Sequence, residues 1–512
     1  MRTIGRYAIL GLLGRGGMGV VYKAAMPRTG RVVAVKALRP AEELAATADP
    51  ALLRRDFFRE AALMAGIRHP NIAQVLDVDE APAADGSAGP GLPFFVMEYY
   101  CNNLGALLGE GYRVEEPTRR LGVDQALSCA RQLASALARL HHAGILHRDV
   151  KPFNLMLAER PPDACPPGPG PVFWVDEVKL IDFGLSRLRG EQGPARPRGA
   201  VVGSPYYAAP EQEADPEAAD ERADVYSAAV TLFRCLTGRL PQEGLAASSL
   251  RAGLDQRFDA FFASACHADR RQRPVSARAL LAEVDALSVH WAKLRENVCA
   301  LPDETPPPCA GRRPLPAPRA TPVRQSVQGA RAAFGLDELW RPVACDAERF
   351  AVIEKAGCAA SGPQGSAARD LEGFAANRPE GSPGAGGEGE LVRDLHSGLV
   401  WERGGSAYGM TFAAALERAA RLAAEKHLGL GGWRLPTVTE LATLLLPEPD
   451  LRQLCLPPAF GPAQRRIWSA DRKSYTAAWY ADVEHGFVWW QDLSCEFFVR
   501  CVTSEGGQPP EA

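Results

Sequence analysis

The amino-acid sequence predicts an α+β protein built as two folded units joined by a Pro/Gly-rich linker, and three observations carry that prediction. From about Tyr7 to Leu287, short β-like runs alternate with amphipathic stretches and few long breaks, the pattern of one mixed unit. Proline then becomes dense between Leu301 and Pro322 (TPPPCAGRRPLPAPRATP), which favours an extended spacer over a packed element. From Leu391 to Thr503 aromatic density rises, with Trp401, Trp433, Trp468, Trp479, Trp489 and Trp490 supplying six of the nine tryptophans. The expected units are 1–290 and 390–505, with 291–389 as a largely flexible linker. Within that linker Ala330 to Lys355 holds aliphatic and aromatic residues suited to docking, whereas Ala359 to Glu390 is flexible in composition.

Bulk properties narrow function by exclusion. Of 512 residues 46% are hydrophobic and 23% charged, the balance of a globular protein. A formal charge of -3 gives no reason to expect a nucleic-acid or membrane-surface partner. Twelve cysteines without a CxxC pair argue against a structural zinc site or a disulfide scaffold. No stretch reaches the roughly 18 apolar residues of a membrane span, and MRTIGRYAIL lacks a leader pattern. A cytoplasmic protein with reduced thiols and no membrane span is therefore expected.

In YAILGLLGRGGMGVVYKA, Gly14, Gly16 and Gly19 lie between two apolar β-like runs, and a glycine-rich hairpin lets backbone amides approach phosphates because no Cβ intervenes. A dinucleotide fingerprint should open a helix. Here Val20, Val21 and Tyr22 continue as a strand, which points instead to a loop closing over a nucleotide with Val21 covering the base. The apolar strand VVAVKAL carries a single cation, Lys36, costly unless it meets phosphate or carboxylate, and Glu60 of LLRRDFFREAALMAG is the expected partner. HRDVKPFN then supplies Asp149, Lys151 and Asn154, and LIDFGL supplies Asp182, Phe183 and Gly184. Phosphoryl transfer asks for fixed charges around an in-line geometry rather than covalent help. Asp149 would accept the substrate hydroxyl proton, Lys151 would neutralise the γ-phosphate, and Asn154 with Asp182 would hold Mg²⁺. His147 and Arg148 would support the loop. Ahead of it, Ala126, Ala130, Leu133, Leu137 and Leu140 form one apolar helix face, with His141 and His142 at the helix end rather than on a metal.

In this fixed order the motifs resemble the eukaryotic-type (Hanks-type) serine/threonine protein kinases of bacteria, over the whole of 1–290. The resemblance implies a bilobal protein-kinase fold and an enzyme that transfers the γ-phosphate of ATP, with Mg²⁺, to Ser or Thr of protein substrates. It implies catalytic roles for Asp149, Lys151, Lys36 and Glu60. The nucleotide pocket it implies runs through Leu13, Gly14, Gly16, Gly19, Val21, Ala34 and Lys36, then Met97, Glu98 and Tyr100 of FFVMEYY, then Asn154 and Asp182, the last two being the metal ligands. Met97 would border the adenine, and Glu98 to Tyr100 would offer backbone bonds. Ala209, Pro210 and Glu211 match the end of the family's activation segment, Arg273 the partner of that glutamate, and Asp224 a buried aspartate beneath the catalytic loop. Lys151 and Ser204 resemble serine/threonine rather than tyrosine kinases. One departure carries information: 187–203 (RLRGEQGPARPRGAVVG) has no Ser, Thr or Tyr, so activity independent of phosphorylation at the centre of that loop is expected. The inserts at 81–92 and 159–171 are expected to be solvent loops.

In the C-terminal unit LVRDLHSGLVWER reads as two strands around a turn at Ser397 and Gly398. A helix follows from Thr411 to Lys426 with Phe412, Leu416, Ala420 and Ala423 on one face, and Thr437 with Glu440 has the spacing of a capping box. AAWYADVEHGFVWWQDLSCEFFVRCV reads as a three-stranded meander with turns near His485 and Ser494. Cys495 and Cys501 suit either packed thiols or a disulfide. The order GLVW, WRLPT, WS and VRCV resembles the Lcl-type C-terminal family of bacterial collagen-like adhesins, itself similar to C-type-lectin and formylglycine-generating-enzyme folds. That resemblance implies a small α+β C-type-lectin-like domain recognising an unknown ligand or protein, with its tryptophans first of all core residues. The competing reading of the whole chain is a nucleotide-binding scaffold whose C-terminal domain carries the function, against which stands the presence of Lys36, Asp149 and Asp182 together.

Overall fold

The computed structural model describes residues 2–16, 18–82, 91–111, 114–158, 177–182, 187–188, 206–214, 219–298, 318–342, 349–353, 391–446, 449, 454–462 and 464–504. They fall into two compact units, one within 1–304 and the other within 305–512. Phe183, Gly184, Ser186, Ser204, the stretch 189–203 and most of both inserts lie outside the described residues.

The first unit opens with six antiparallel strands: β1 (Thr3–Ile4), β2 (Tyr7–Arg15), β3 (Gly19–Ala25), β4 (Val32–Leu38), β5 (Val75–Ala81) and β6 (Leu92–Glu98). Their order in the sheet is β1-β2-β3-β4-β6-β5. Two helices, α1 (Glu42–Thr47) and α2 (Pro50–Ala65), intervene between β4 and β5 in the chain. Helix α2 starts where it does because Pro50 occupies its first turn and the Asp49 side chain accepts from the Ala51 N–H. Leu53, Phe57, Ala61 and Met64 form its buried stripe.

The rest of this unit is helical, with short strands carrying the loops. In order come β7 (Asn102–Asn103), α3 (Leu104–Leu108), α4 (Val123–His142), β8 (Ile145–Leu146), β9 (Leu155–Ala158), β10 (Glu177–Leu180), β11 (Arg187–Leu188), α5 (Pro210–Ala214), α6 (Glu221–Thr237), α7 (Ala247–Leu250), α8 (Gln256–Ala265) and α9 (Ala277–Val298). The predicted face of α4 is buried at Ala126, Leu133, Leu137 and Leu140, but Ala130 is only half-buried. Helix α6 is buried on nearly all sides, as a central helix of a large core must be.

The second unit contains α10 (Val327–Phe334), β12 (Phe350–Ile353), β13 (Leu391–Asp394), β14 (Leu399–Glu402), α11 (Phe412–Ala424), α12 (Val438–Ala442), β15 (Arg466–Arg472), β16 (Ala477–Asp482), β17 (Phe487–Asp492) and β18 (Val502–Ser504). Two sheets result, β12-β13-β14-β18 and β15-β16-β17. Trp401, Trp433, Trp468 and Trp479 are buried core residues, whereas Trp489 and Trp490 are half-buried.

The expected linker 291–389 needs correction. Helix α9 runs on to Val298, and 318–342 with 349–353 is packed into the second unit. Ala330 and Phe334 join its core, β12 pairs with β13, and Arg319 forks onto buried Asp471 at 2.9 Å through both guanidinium nitrogens. Proline density discourages regular structure but does not prevent an extended segment from laying apolar anchors into a core.

Three smaller expectations are also corrected. Helix α11 buries Phe412, Ala415, Ala419 and Leu422, leaving Leu416 exposed, because a helix offers two adjacent three-or-four spacings and the surroundings choose between them. The three-stranded meander is β15-β16-β17, and the terminal strand β18 pairs instead with β14. Cys501 is a free thiol, which settles the open choice against a Cys495–Cys501 disulfide; Cys495 is itself in a disulfide, against the expectation of reduced thiols throughout. Chain spacing cannot show which sulfurs folding brings within reach.

Candidate active site

Strand register assembles the upper wall. Val21 lies opposite both Gly14 and Lys36, and Ala34 lies opposite Met97. Directly opposed residues and alternate residues share a face, so Val21, Ala34, Lys36 and Met97 line one side of the sheet. Leu13 sits in the irregularity between Leu12 and Gly14 and is exposed. The glycines divide by cause. A Cβ on Gly19 would stand 2.6 Å from the Ala37 carbonyl oxygen, whereas one on Gly14 would meet nothing within 4 Å. Gly19 is demanded by the sheet itself, while among the described residues nothing demands Gly14. At the end of β6 the Tyr100 hydroxyl donates to Glu98 Oε2 at 2.7 Å, and Arg31 holds the other Glu98 oxygen at 3.2 Å. Burial, then the Glu98 carboxylate, pushes the Tyr100 hydroxyl pKa up. With these side chains engaged together, the main chain is what this segment offers a ligand.

Lys36 is the hinge of the charge pattern. Its Nζ donates to Glu60 Oε1 at 2.6 Å and to Asp182 Oδ1 at 3.1 Å, and Glu60 is buried. Burial works against the ammonium, but Asp182 and Glu60 outweigh it and hold Lys36 above its ordinary value. The helix bearing Glu60 is therefore in its inward position.

The lower wall converges on Asp149. Lys151 Nζ donates to Asp149 Oδ2 at 2.8 Å, and Asn154 Nδ2 donates to the Asp149 carbonyl at 2.8 Å and to Oδ2 at 3.0 Å. Because Asn154 donates through its amide nitrogen, its carbonyl Oδ1 is the atom left for a cation. Arg148 and Asp182 both adopt left-handed backbone, with φ of 67° and 66°. Such positions cost about 1–3 kcal/mol and persist only where surroundings over-determine them.

Asp224 supplies that constraint for Arg148. Its Oδ1 accepts from the Arg148 N–H at 2.8 Å, and its Oδ2 from the His147 N–H at 2.9 Å and faces His141 Nε2 at 2.8 Å. Burial pushes the Asp224 carboxyl up, but the His141 bond, the His147 charge and the Arg148 amide together hold it below its ordinary value. Gln212 adds a second anchor, donating to the Arg148 carbonyl at 3.0 Å and accepting from the Ala209 N–H at 3.1 Å. Arg273 forks onto Glu211 at 2.7 and 2.9 Å. The sequence reading had no part for Gln212 and left His141 as a helix-end residue; both act across long separations that carry no local signal. Among the described residues no cluster of three or more His, Cys, Asp or Glu is set to hold a metal.

The chain belongs to the protein kinase family: residues 7–284 match the protein kinase domain, more than half of its length. Residues 390–503 match the Lcl C-terminal domain. Its relatives include a probable serine/threonine-protein kinase of Streptomyces coelicolor, 38% identical over 245 residues, 48% of this chain and 32% of the relative. The serine/threonine-protein kinase PknB of Mycobacterium leprae is 37% identical over 236 residues, 46% of this chain and 33% of its own. The chain thus spans about a third of the length of these curated relatives. Among solved structures, the kinase domain of Mycobacterium tuberculosis PknI is 26% identical with a TM-score of 0.39, covering 56% of this chain and 97% of its own. Among the described residues no helix is long and apolar enough to cross a membrane.

Proposed function

We propose that this chain is an ATP-dependent protein kinase that transfers the γ-phosphate to Ser or Thr of protein substrates, and that its C-terminal, C-type-lectin-like domain recognises a ligand or partner. The observation that carries the reading is the double convergence of Lys36 on Glu60 and Asp182, and of Lys151 and Asn154 on Asp149. Lys36, held by Glu60, is positioned to meet the phosphates of ATP. Asp149 is the proton acceptor for the attacking hydroxyl, and Lys151 beside it balances the charge that develops on the transferred group. Asp182 and Asn154 offer a carboxylate and an amide oxygen, hard donors that fit Mg²⁺, which when bound would neutralise phosphate charge. Gly14 and Gly16 leave the phosphates room to approach, and Val21, Ala34 and Met97 face the base. Leu13 closes the outer rim, and Glu98 with Tyr100 offers main-chain bonds to the base. ATP as donor places the reaction in the cytoplasm.

Phosphate transfer from labelled ATP to a mixed protein substrate tests the reading. Asp149→Asn should lower the rate by about 10²–10⁴ with its fold intact. Equal rates for wild type and variant would refute an active kinase and favour a nucleotide-binding scaffold.

A further inference from the structure

The second unit matches many of its half-buried and buried arginines with buried carboxylates: Arg349 with Asp394, Arg418 with Glu402, Arg434 with Glu440 and Arg466 with Asp482. The end of β15 and the turn into β16 depart from that pattern. Arg472 and Lys473 stand there, and Arg324 is brought alongside by a parallel bridge between Arg324 and Arg472. Among the described residues none of these three cations has a carboxylate within ion-pair distance. Each rests on an aromatic ring instead: the Arg324 guanidinium lies 4.0 Å from the Tyr475 ring centre, Arg472 lies 5.0 Å from Phe412, and the Lys473 ammonium 2.9 Å from Trp490. The acid next to them cannot serve, because Asp471 is already taken by Arg319 and by the Val323 and Val438 N–H groups. Partial burial depresses the Lys473 pKa with no anion to counter it. Tyr475 is 75% exposed, so this cationic face is open to a partner.

We propose that Arg324, Lys473, Tyr475 and Trp490, flanked by Arg472, form a docking face for a carboxylate-rich peptide segment of a protein partner. Charge complementarity selects an anion, and the planar guanidinium matches a carboxylate in a bidentate fork. A saccharide would call for bare ring faces, but here the cations already cover faces of Tyr475 and Trp490. Side chains that alternate with the carboxylates of a peptide can pack against the exposed edge of Tyr475. The proposal rests on reading this unit as a recognition module and is independent of phosphate transfer.

The test uses the full chain and a fluorescent oligoglutamate peptide, followed by anisotropy. Saturable binding that weakens with added salt is expected. Arg324→Glu with Lys473→Glu should weaken it about tenfold or more. Arg331→Glu with Arg421→Glu, the same charge change at exposed positions elsewhere in the unit, should leave it within about twofold. The milder pair Arg324→Ala with Lys473→Ala, checked by thermal melting, gives the same direction should the reversed pair fail to fold. No binding, or equal loss in both reversed pairs, overturns the proposal. Heparin bound without competition from oligoglutamate overturns it too, in favour of a sulfated polysaccharide, while leaving the recognition role standing. Phosphate transfer read on the same preparation keeps the kinase reading separate: transfer without peptide binding sinks only this inference.

Discussion

Asp224 concentrates more of the catalytic loop's geometry than any residue that would touch ATP. Its carboxylate takes two backbone N–H groups of the loop and the His141 ring, and it is wholly buried. Asp224→Ala removes the acceptor and strands those donors in a dry site, so unfolding of the first unit should become easier by about 3–5 kcal/mol. A denaturant melt reads this directly, and a shift below about 1 kcal/mol would mean the three bonds are not made in solution. The part played by Asp224 was legible because the motif RADVYS marks it, whereas that of Gln212 was not, since a glutamine beside Glu211 looks like any surface polar residue. What makes Gln212 structural is its burial between Ala209 and Arg148, a product of folding alone.

The β2 to β3 hairpin separates two reasons for glycine. Gly19→Ala drives a Cβ into the Ala37 carbonyl and should lower stability by about 1–3 kcal/mol, readable as a lower melting temperature with or without nucleotide. Gly14→Ala meets no atom of the described residues within 4 Å, so stability should hold within about 0.5 kcal/mol. Its effect should surface instead as a higher KM for ATP; an unchanged KM would show that phosphate does not approach there. In the second unit, α12 begins where the sequence said it would, because Thr437 and Glu440 cap each other's backbone N–H groups. Helix α11 is the counterexample. Its apolar residues supply two rows about equally well, and the core chose Ala415 and Ala419 over Leu416 and Ala420.

Across the whole molecule, acid is the condition both units share. Asp224 in the first, and Asp394 and Asp482 in the second, are all held below the ordinary carboxyl range: burial opposes the charge in each, while His141 holds the first, Arg349 the second, and His485 with Arg466 the third. A folded-state pKa below the unfolded value of about 4 means that the unfolded chain binds more protons in acid. The stability these groups contribute is therefore full above about pH 4 and drains away as pH falls through and below it. Melting temperature should be flat from about pH 7 to 5 and fall steeply below about 4; a rise on acidification would contradict the assigned partners. By itself, the sequence determined where the groups of the proposed phosphate transfer lie: glycines at the hairpin, one lysine in an apolar strand, and the HRD and DFG residues are local patterns whose spacing does not depend on the rest of the chain. Only tertiary structure decided that 318–342 packs into the second core, that β18 joins β14 rather than β17, and that three cations beside β16 have no acidic partner among the described residues. Each of those depends on contacts between segments far apart in the chain, where burial and pairing, and not local preference, set the energy.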